Sequence, residues 1–149
     1  MAKMKAFVMK EIGSVGMMEK DIPLDPGPNG AVIRTTKALI CTSDTHTVAG
    51  AIGPRKNLTL GHEAVGLVEK LGSEVSGFRR GDRVAVNAIT PDFICHNCQR
   101  GYSSQCGQML GGWKFANTKD GVFAERFHVD QAQANLAPIP DDLPDEKAV

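Results

Sequence analysis

The sequence predicts a mostly β fold built from short strands at the spacing of a barrel. Three observations lead there: short runs rich in alternating and β-branched residues, Gly and Pro clusters between them, and the lack of any segment with sustained helical periodicity. With 149 residues, 42% of them hydrophobic and 23% charged, the chain has room for one core, so a single domain over residues 1–149 is expected.

In chain order, Lys5-Ala6-Phe7-Val8-Met9 and Ala31-Val32-Ile33-Arg34-Thr35-Thr36-Lys37-Ala38-Leu39-Ile40 read as strands. Pro23, Pro26, Gly27, Pro28, Asn29 and Gly30 punctuate the stretch between them. Residues 42–48 form a short helix whose first turn is capped by a hydroxyl or by Asp44. Residues 63–71 and 83–89 are further strands, bracketed by Gly61, Gly72, Gly77 and Gly81, and residues 122–129 add another alternating segment. The last residues carry Pro138, Pro140 and Pro144 among several acids and stop at Ala148-Val149 without a closing element, which reads as the edge of a fragment.

Charge excludes several function classes. Lys plus Arg equals Asp plus Glu at 17 each, so the clustered excess cation that nucleic acid or an anionic membrane requires is absent, and a small neutral substrate is compatible. Charged and apolar residues alternate over residues 1–10, unlike a signal peptide, and no apolar run reaches membrane-spanning length, so a cytoplasmic location is expected. Four unevenly spaced cysteines suit metal binding better than a disulfide scaffold, which is usually shorter and denser in Cys.

The first chemical cluster is Cys41-Thr42-Ser43-Asp44-Thr45-His46, a thiol, hydroxyls, a carboxylate and an imidazole at the end of an apolar strand. Twenty-one residues past Cys41, Gly61-His62-Glu63-Ala64-Val65-Gly66 opens another strand from a glycine. Spacing alone leaves His62 open between a metal ligand and an ordinary core or surface histidine. Gly61-His62-Glu63 with Gly66, Gly72 and Val75, and separately the Cys41 to His46 segment, resemble the signatures of the zinc-containing medium-chain alcohol dehydrogenases. The resemblance is nearest to their secondary-alcohol branch. It extends over Gly50-Ala51-Ile52-Gly53, Ala88-Ile89-Thr90-Pro91-Asp92, Gly111-Gly112-Trp113-Lys114-Phe115 and Asp120-Gly121-Val122-Phe123. Val65 departs from the broad family signature and agrees with that branch.

The resemblance implies a partly open β-barrel of the chaperonin-10-like catalytic domain, with short helices and a zinc lobe. It implies zinc-assisted hydride transfer between small secondary alcohols or ketones and NADP or NAD. It makes Cys41 and His62 catalytic-zinc ligands, with Glu63 beside the metal and able to enter its shell, which suits the thiolate, imidazole and carboxylate preferences of Zn²⁺. Ser43 then takes the alcohol proton and His46 passes it on; a helix cap and a surface histidine are the alternative roles. Trp113 walls the substrate pocket, with Ala88 and Ile52 as weaker candidates, although core packing is the commoner fate of an aromatic. The third zinc ligand is an Asp expected just past Val149, so the catalytic site is incomplete within these residues.

A second cluster, Cys95-His96-Asn97-Cys98 with Cys106, becomes a four-ligand set on counting back three to Asp92, within a lobe over residues 90–113. The spacing of Asp92, Cys95, Cys98 and Cys106 resembles the structural-zinc lobe of the wider family, with an oxygen ligand in first place. His96 competes as the fourth ligand, and a free-thiol loop or a Cys95–Cys98 redox pair is the alternative. Gly101 and Pro91 argue against the helix that a redox pair normally opens. No Gly-x-Gly-x-x-Gly turn of a dinucleotide-binding domain occurs. The expectation is therefore a fragment, inactive alone, of an enzyme that the branch resemblance implies to be a homo-tetramer. A polyol or threonine dehydrogenase and a zinc-stabilised binding barrel are the competing readings.

Overall fold

The computed structural model describes residues 2–107 and 113–149, so Gly111 and Gly112 of the quoted motif and part of the 90–113 lobe lie outside the described residues. Two antiparallel sheets form, of order β2-β1-β4 and β7-β3-β5-β6-β8, and they do not close into a complete barrel. The strands are β1 (Lys3–Glu11), β2 (Ser14–Asp21), β3 (Ala31–Leu39), β4 (Leu58–Thr59), β5 (Glu63–Leu71), β6 (Arg83–Val86), β7 (Arg126–Val129) and β8 (Leu136–Pro138). The helices are single turns or little more: α1 (Thr42–Val48), α2 (His96–Gln99), α3 (Ala132–Asn135) and α4 (Asp145–Ala148).

Alternation decides which faces are buried. In β1, Met4, Ala6 and Val8 point inward while Lys3 and Lys5 face solvent. In β3 the first three residues, Ala31, Val32 and Ile33, are all buried, and Ala31 and Ile33 join the main core cluster. Ile33, Val68, Val84, Phe115, Phe127 and Val129 form the centre of the core, where Phe115 meets Phe127 edge to face at 6.0 Å between ring centroids. Gly66 is required where β3 bulges opposite it: a Cβ there would overlap the Arg34 carbonyl oxygen.

Residues 121–125 join the two sheets. The Phe7 N–H donates to the Phe123 carbonyl (2.7 Å), the Glu125 N–H to Lys5 (3.1 Å), and the Thr35 N–H to Glu125 (3.1 Å), before β7 pairs with β3. The alternating segment expected over 122–129 is thus divided, its first half bridging the sheets and only its second half forming a strand. The strand expected over 83–89 stops at Val86, because the Asn87 N–H is taken by the Asn135 carbonyl (2.9 Å). β2, the two-residue β4 and β8 were not expected. No helix among the described residues is long and apolar enough to cross a membrane.

Candidate metal centres and substrate cavity

β3 and β5 build the first centre between them. Leu39, the last residue of β3, pairs with Glu63, the first of β5, so Cys41, two residues beyond, comes alongside the Gly61-His62-Glu63 turn. Gly61 has φ +88°, a left-handed conformation that a side chain resists, and a Cβ there would overlap the Phe123 ring. One donor atom each from Cys41, His62 and Glu63 lies within 4.8 Å of the others, a separation suited to a shared metal ion.

Cys41 caps the start of α1, and the cap is closed by Asp44: its Oδ2 accepts from the Cys41 N–H at 2.9 Å and its Oδ1 from the Gly61 N–H at 3.2 Å. The same buried carboxylate faces His62, with Oδ1 3.5 Å from Nδ1. That separation makes a charge contact rather than a full hydrogen bond, and it leaves Nδ1 buried without a partner of good geometry. Asp44 nonetheless raises the His62 pKa to about 9, against the opposing effect of burial. The other ring nitrogen, Nε2, lies 3.0 Å from the Ser43 Oγ. The hydroxyl and main-chain N–H of Ser43, with His62, hold the Cys41 thiol below its ordinary pKa, toward the thiolate that ligates metal. Sequence reasoning gave Asp44 only a capping role; its contact with His62 spans 18 positions, a distance at which periodicity carries no signal.

An apolar cavity of about 420 Å³ opens at this cluster, lined by Ser43, His62, Glu63, Ala88, Ile89 and Trp113. The Trp113 ring packs edge-on against His62 at 6.1 Å between centroids. Ser43, Ala88 and Trp113 stand at the cavity, and so does Ile89. Ile52 is half-buried in the loop after α1 and does not line the cavity, and His46 is exposed on α1.

The second centre sits in the lobe that leaves the core after Thr90. Asp92, Cys95, Cys98 and Cys106 place one donor atom each within 4.8 Å of the others, and Cys95 Sγ and Cys106 Sγ are 4.0 Å apart. No disulfide forms among the four cysteines. Asp92 Oδ1 accepts from the Cys95 and Ile94 N–H groups, both at 2.9 Å, which holds its pKa down at about 2. Cys95 is lowered chiefly by the Gly107 N–H, whereas burial, with the neighbouring thiol of Cys95, pushes Cys98 up to about 12. Three thiols and a carboxylate held this close suit a zinc ion, which supplies positive charge to the ligand set. His96 points away to Arg100, 3.3 Å from its Nη1, so Asp92 and not His96 belongs to the set. Among its described residues the lobe does contain an α-helical turn, α2, with Cys95 at its N-cap, where Gly101 and Pro91 had argued against a helix. Four residues satisfy the turn before Gly101 ends it.

Residues 27–141 match the alcohol dehydrogenase GroES-like domain model. The chain belongs to that family. It is 56% identical over 147 residues to the NADP-dependent isopropanol dehydrogenase of Thermoanaerobacter brockii, covering 98% of this chain and 42% of that protein. It is 54% identical to the protein of the same name from Entamoeba histolytica, covering 98% and 40%. Among solved structures, the apo form of zinc dependent alcohol dehydrogenase 2 from Streptococcus pneumonia superposes with a TM-score of 0.86 at 34% identity, covering 96% of this chain and 40% of that one. The chain therefore spans about two fifths of the length of these relatives.

Proposed function

We propose that this chain is the zinc-binding catalytic portion of a longer NADP-dependent dehydrogenase that interconverts small secondary alcohols and ketones. The observation that carries this reading is the convergence of the Cys41 thiol, the His62 imidazole and the Glu63 carboxylate, the last two lining an apolar cavity together with Ser43. Cys41 and His62 are the metal ligands, Glu63 stands beside them, and Asp92, Cys95, Cys98 and Cys106 hold a structural zinc. Zinc bound at the first centre supplies a Lewis acid to the alcohol or ketone oxygen.

The remaining chemistry belongs to this chain's own side chains. Asp44 stands behind His62 on the Nδ1 side, and Nε2 faces Ser43 on the cavity side. Ser43 Oγ accepts the alcohol proton, and His46, three residues further along α1 and exposed, delivers it to solvent. Trp113, Ala88 and Ile89 provide apolar walls that exclude water and admit a short alkyl substrate. NADP is favoured over NAD by the names of the relatives. A cytoplasmic tetramer is the assembly proposed for the full-length protein, on the branch resemblance alone. Steady-state oxidation of propan-2-ol with NADP by the full-length protein, run alongside zinc analysis, tests the reading.

A further inference from the structure

The Trp113 wall is not held by its own packing alone. Asn117, only 2% exposed, donates from Nδ2 to the Trp113 carbonyl oxygen at 3.1 Å. Its own Oδ1 accepts from Arg55 Nη2 at 3.4 Å, and its main-chain carbonyl from Arg55 Nε at 3.2 Å. Arg55 lies in the loop between α1 and β4, the same loop that carries Ile52. The guanidinium thus grips both oxygens of one buried asparagine, and the asparagine's remaining amide grips the residue that walls the cavity.

The turn containing Asn117 is otherwise poorly suited to fix that wall. Ala116 is fully buried at φ +52°, a strained conformation for a residue with a Cβ, and it persists only where its surroundings determine it. The N–H groups of Asn117, Thr118 and Lys119 all converge on one acceptor, the Lys114 carbonyl, at 3.0–3.2 Å. Side-chain bonds to Asn117 therefore supply the rigidity that the turn's backbone lacks.

We propose that Arg55 and Asn117 form a clamp that sets the position of Trp113 and so the size of alcohol the cavity accepts. Both are positioning residues: neither lines the cavity, and each acts through the Trp113 backbone. The size-selection part rests on the dehydrogenase reading above, whereas the clamp itself does not.

Two conservative variants test it. Arg55→Lys keeps the charge and removes the two-point grip. Asn117→Asp keeps an acceptor for Arg55 but sets a carboxylate oxygen against the Trp113 carbonyl, so the donor bond is lost. Trp113 is the chain's single tryptophan, so acrylamide quenching of the fluorescence of this 149-residue chain reports on that wall directly. Quenching rises in both variants if the clamp exists, and unchanged quenching in Arg55→Lys overturns it, even if Asn117→Asp fails to fold.

In the full-length protein, kcat/KM for heptan-2-ol relative to propan-2-ol shifts toward the larger alcohol by about threefold to tenfold, the equivalent of one hydrogen bond. The shift lies mainly in KM, and zinc content is unchanged. Raised quenching with an unaltered alcohol ratio overturns the size-selection role. An unmutated full-length protein that turns over neither alcohol contradicts the dehydrogenase reading and size selection with it, and the quenching result still decides the clamp.

Discussion

Asp44 Oδ1 stands 3.5 Å from His62 Nδ1 while both residues are almost wholly buried, which places a carboxylate directly behind a candidate metal-binding imidazole. A carboxylate in that position favours the charged ring and raises its basicity as a ligand. The Asp44→Asn variant retains one acceptor for the Cys41 and Gly61 N–H groups but loses the charge. We expect its zinc affinity, measured by chelator competition, to fall about 10-fold to 100-fold while far-UV circular dichroism is preserved. Undiminished affinity would show that Asp44 serves only as a cap.

Removal of one lobe ligand separates a structural metal from a redox pair. Cys106→Ala leaves Asp92, Cys95 and Cys98 with three donors, and a closed four-ligand site contributes folding energy directly. The variant should lose about one equivalent of zinc after dialysis and melt at lower temperature. Unchanged zinc content in metal analysis contradicts the lobe assignment.

Gly61→Ala should destabilise the fold by about 2–4 kcal/mol, because the left-handed backbone there costs about 1–2 kcal/mol for a residue with a Cβ and the Phe123 ring must also give way. Urea unfolding measures the loss, and a change below about 1 kcal/mol would mean that the turn relaxes freely.

The Glu69–Arg126 pair supplies a pH test. Arg126 Nε lies 2.6 Å from Glu69 Oε2, and its hydrogen bond holds the Glu69 carboxyl below its ordinary pKa. A carboxylate lowered in the folded state stabilises above its unfolded pKa and loses that contribution as pH falls through the lowered folded value. The pair is about a quarter exposed, so solvent screening keeps its worth below about 1 kcal/mol. Glu69→Gln should therefore cost a small amount at neutral pH and nothing in strong acid, as read from denaturant midpoints across pH.

Much of this was legible in the sequence where a local rule applied. The strand over residues 63–71 is bounded by Gly61, in a left-handed turn, and by Gly72, where a Cβ would overlap the Gly27 and Pro28 carbonyl oxygens, and its limits match β5. The helix over residues 42–48 matches α1, with Asp44 closing the cap. The edge strand β2 escaped notice because Val15 and Met17 face outward among charges, so no inward apolar alternation marks it. The Asp92, Cys95, Cys98 and Cys106 set was visible as spacing, since its ligands lie within one loop. Asp44 behind His62, Ile89 at the cavity and Asn117 behind Trp113 were not, because each depends on strand pairing or loop contact between distant residues. Ile52 and His46 were placed by resemblance, and their positions outside the cavity lining follow from the loop after α1 and the solvent face of that helix.

The central claim is that Cys41 and His62 hold a catalytic metal while Ser43 moves a proton. Steady-state kinetics of the full-length protein with propan-2-ol and NADP, with zinc measured in each variant, tests it most directly. Cys41→Ala and His62→Ala should lose both the metal and turnover, whereas Ser43→Ala should keep zinc and lose about 10²–10⁴-fold in kcat with a smaller change in KM. Near-normal turnover in Cys41→Ala or His62→Ala would contradict the metal assignment, and an unaffected Ser43→Ala enzyme would contradict the proton role.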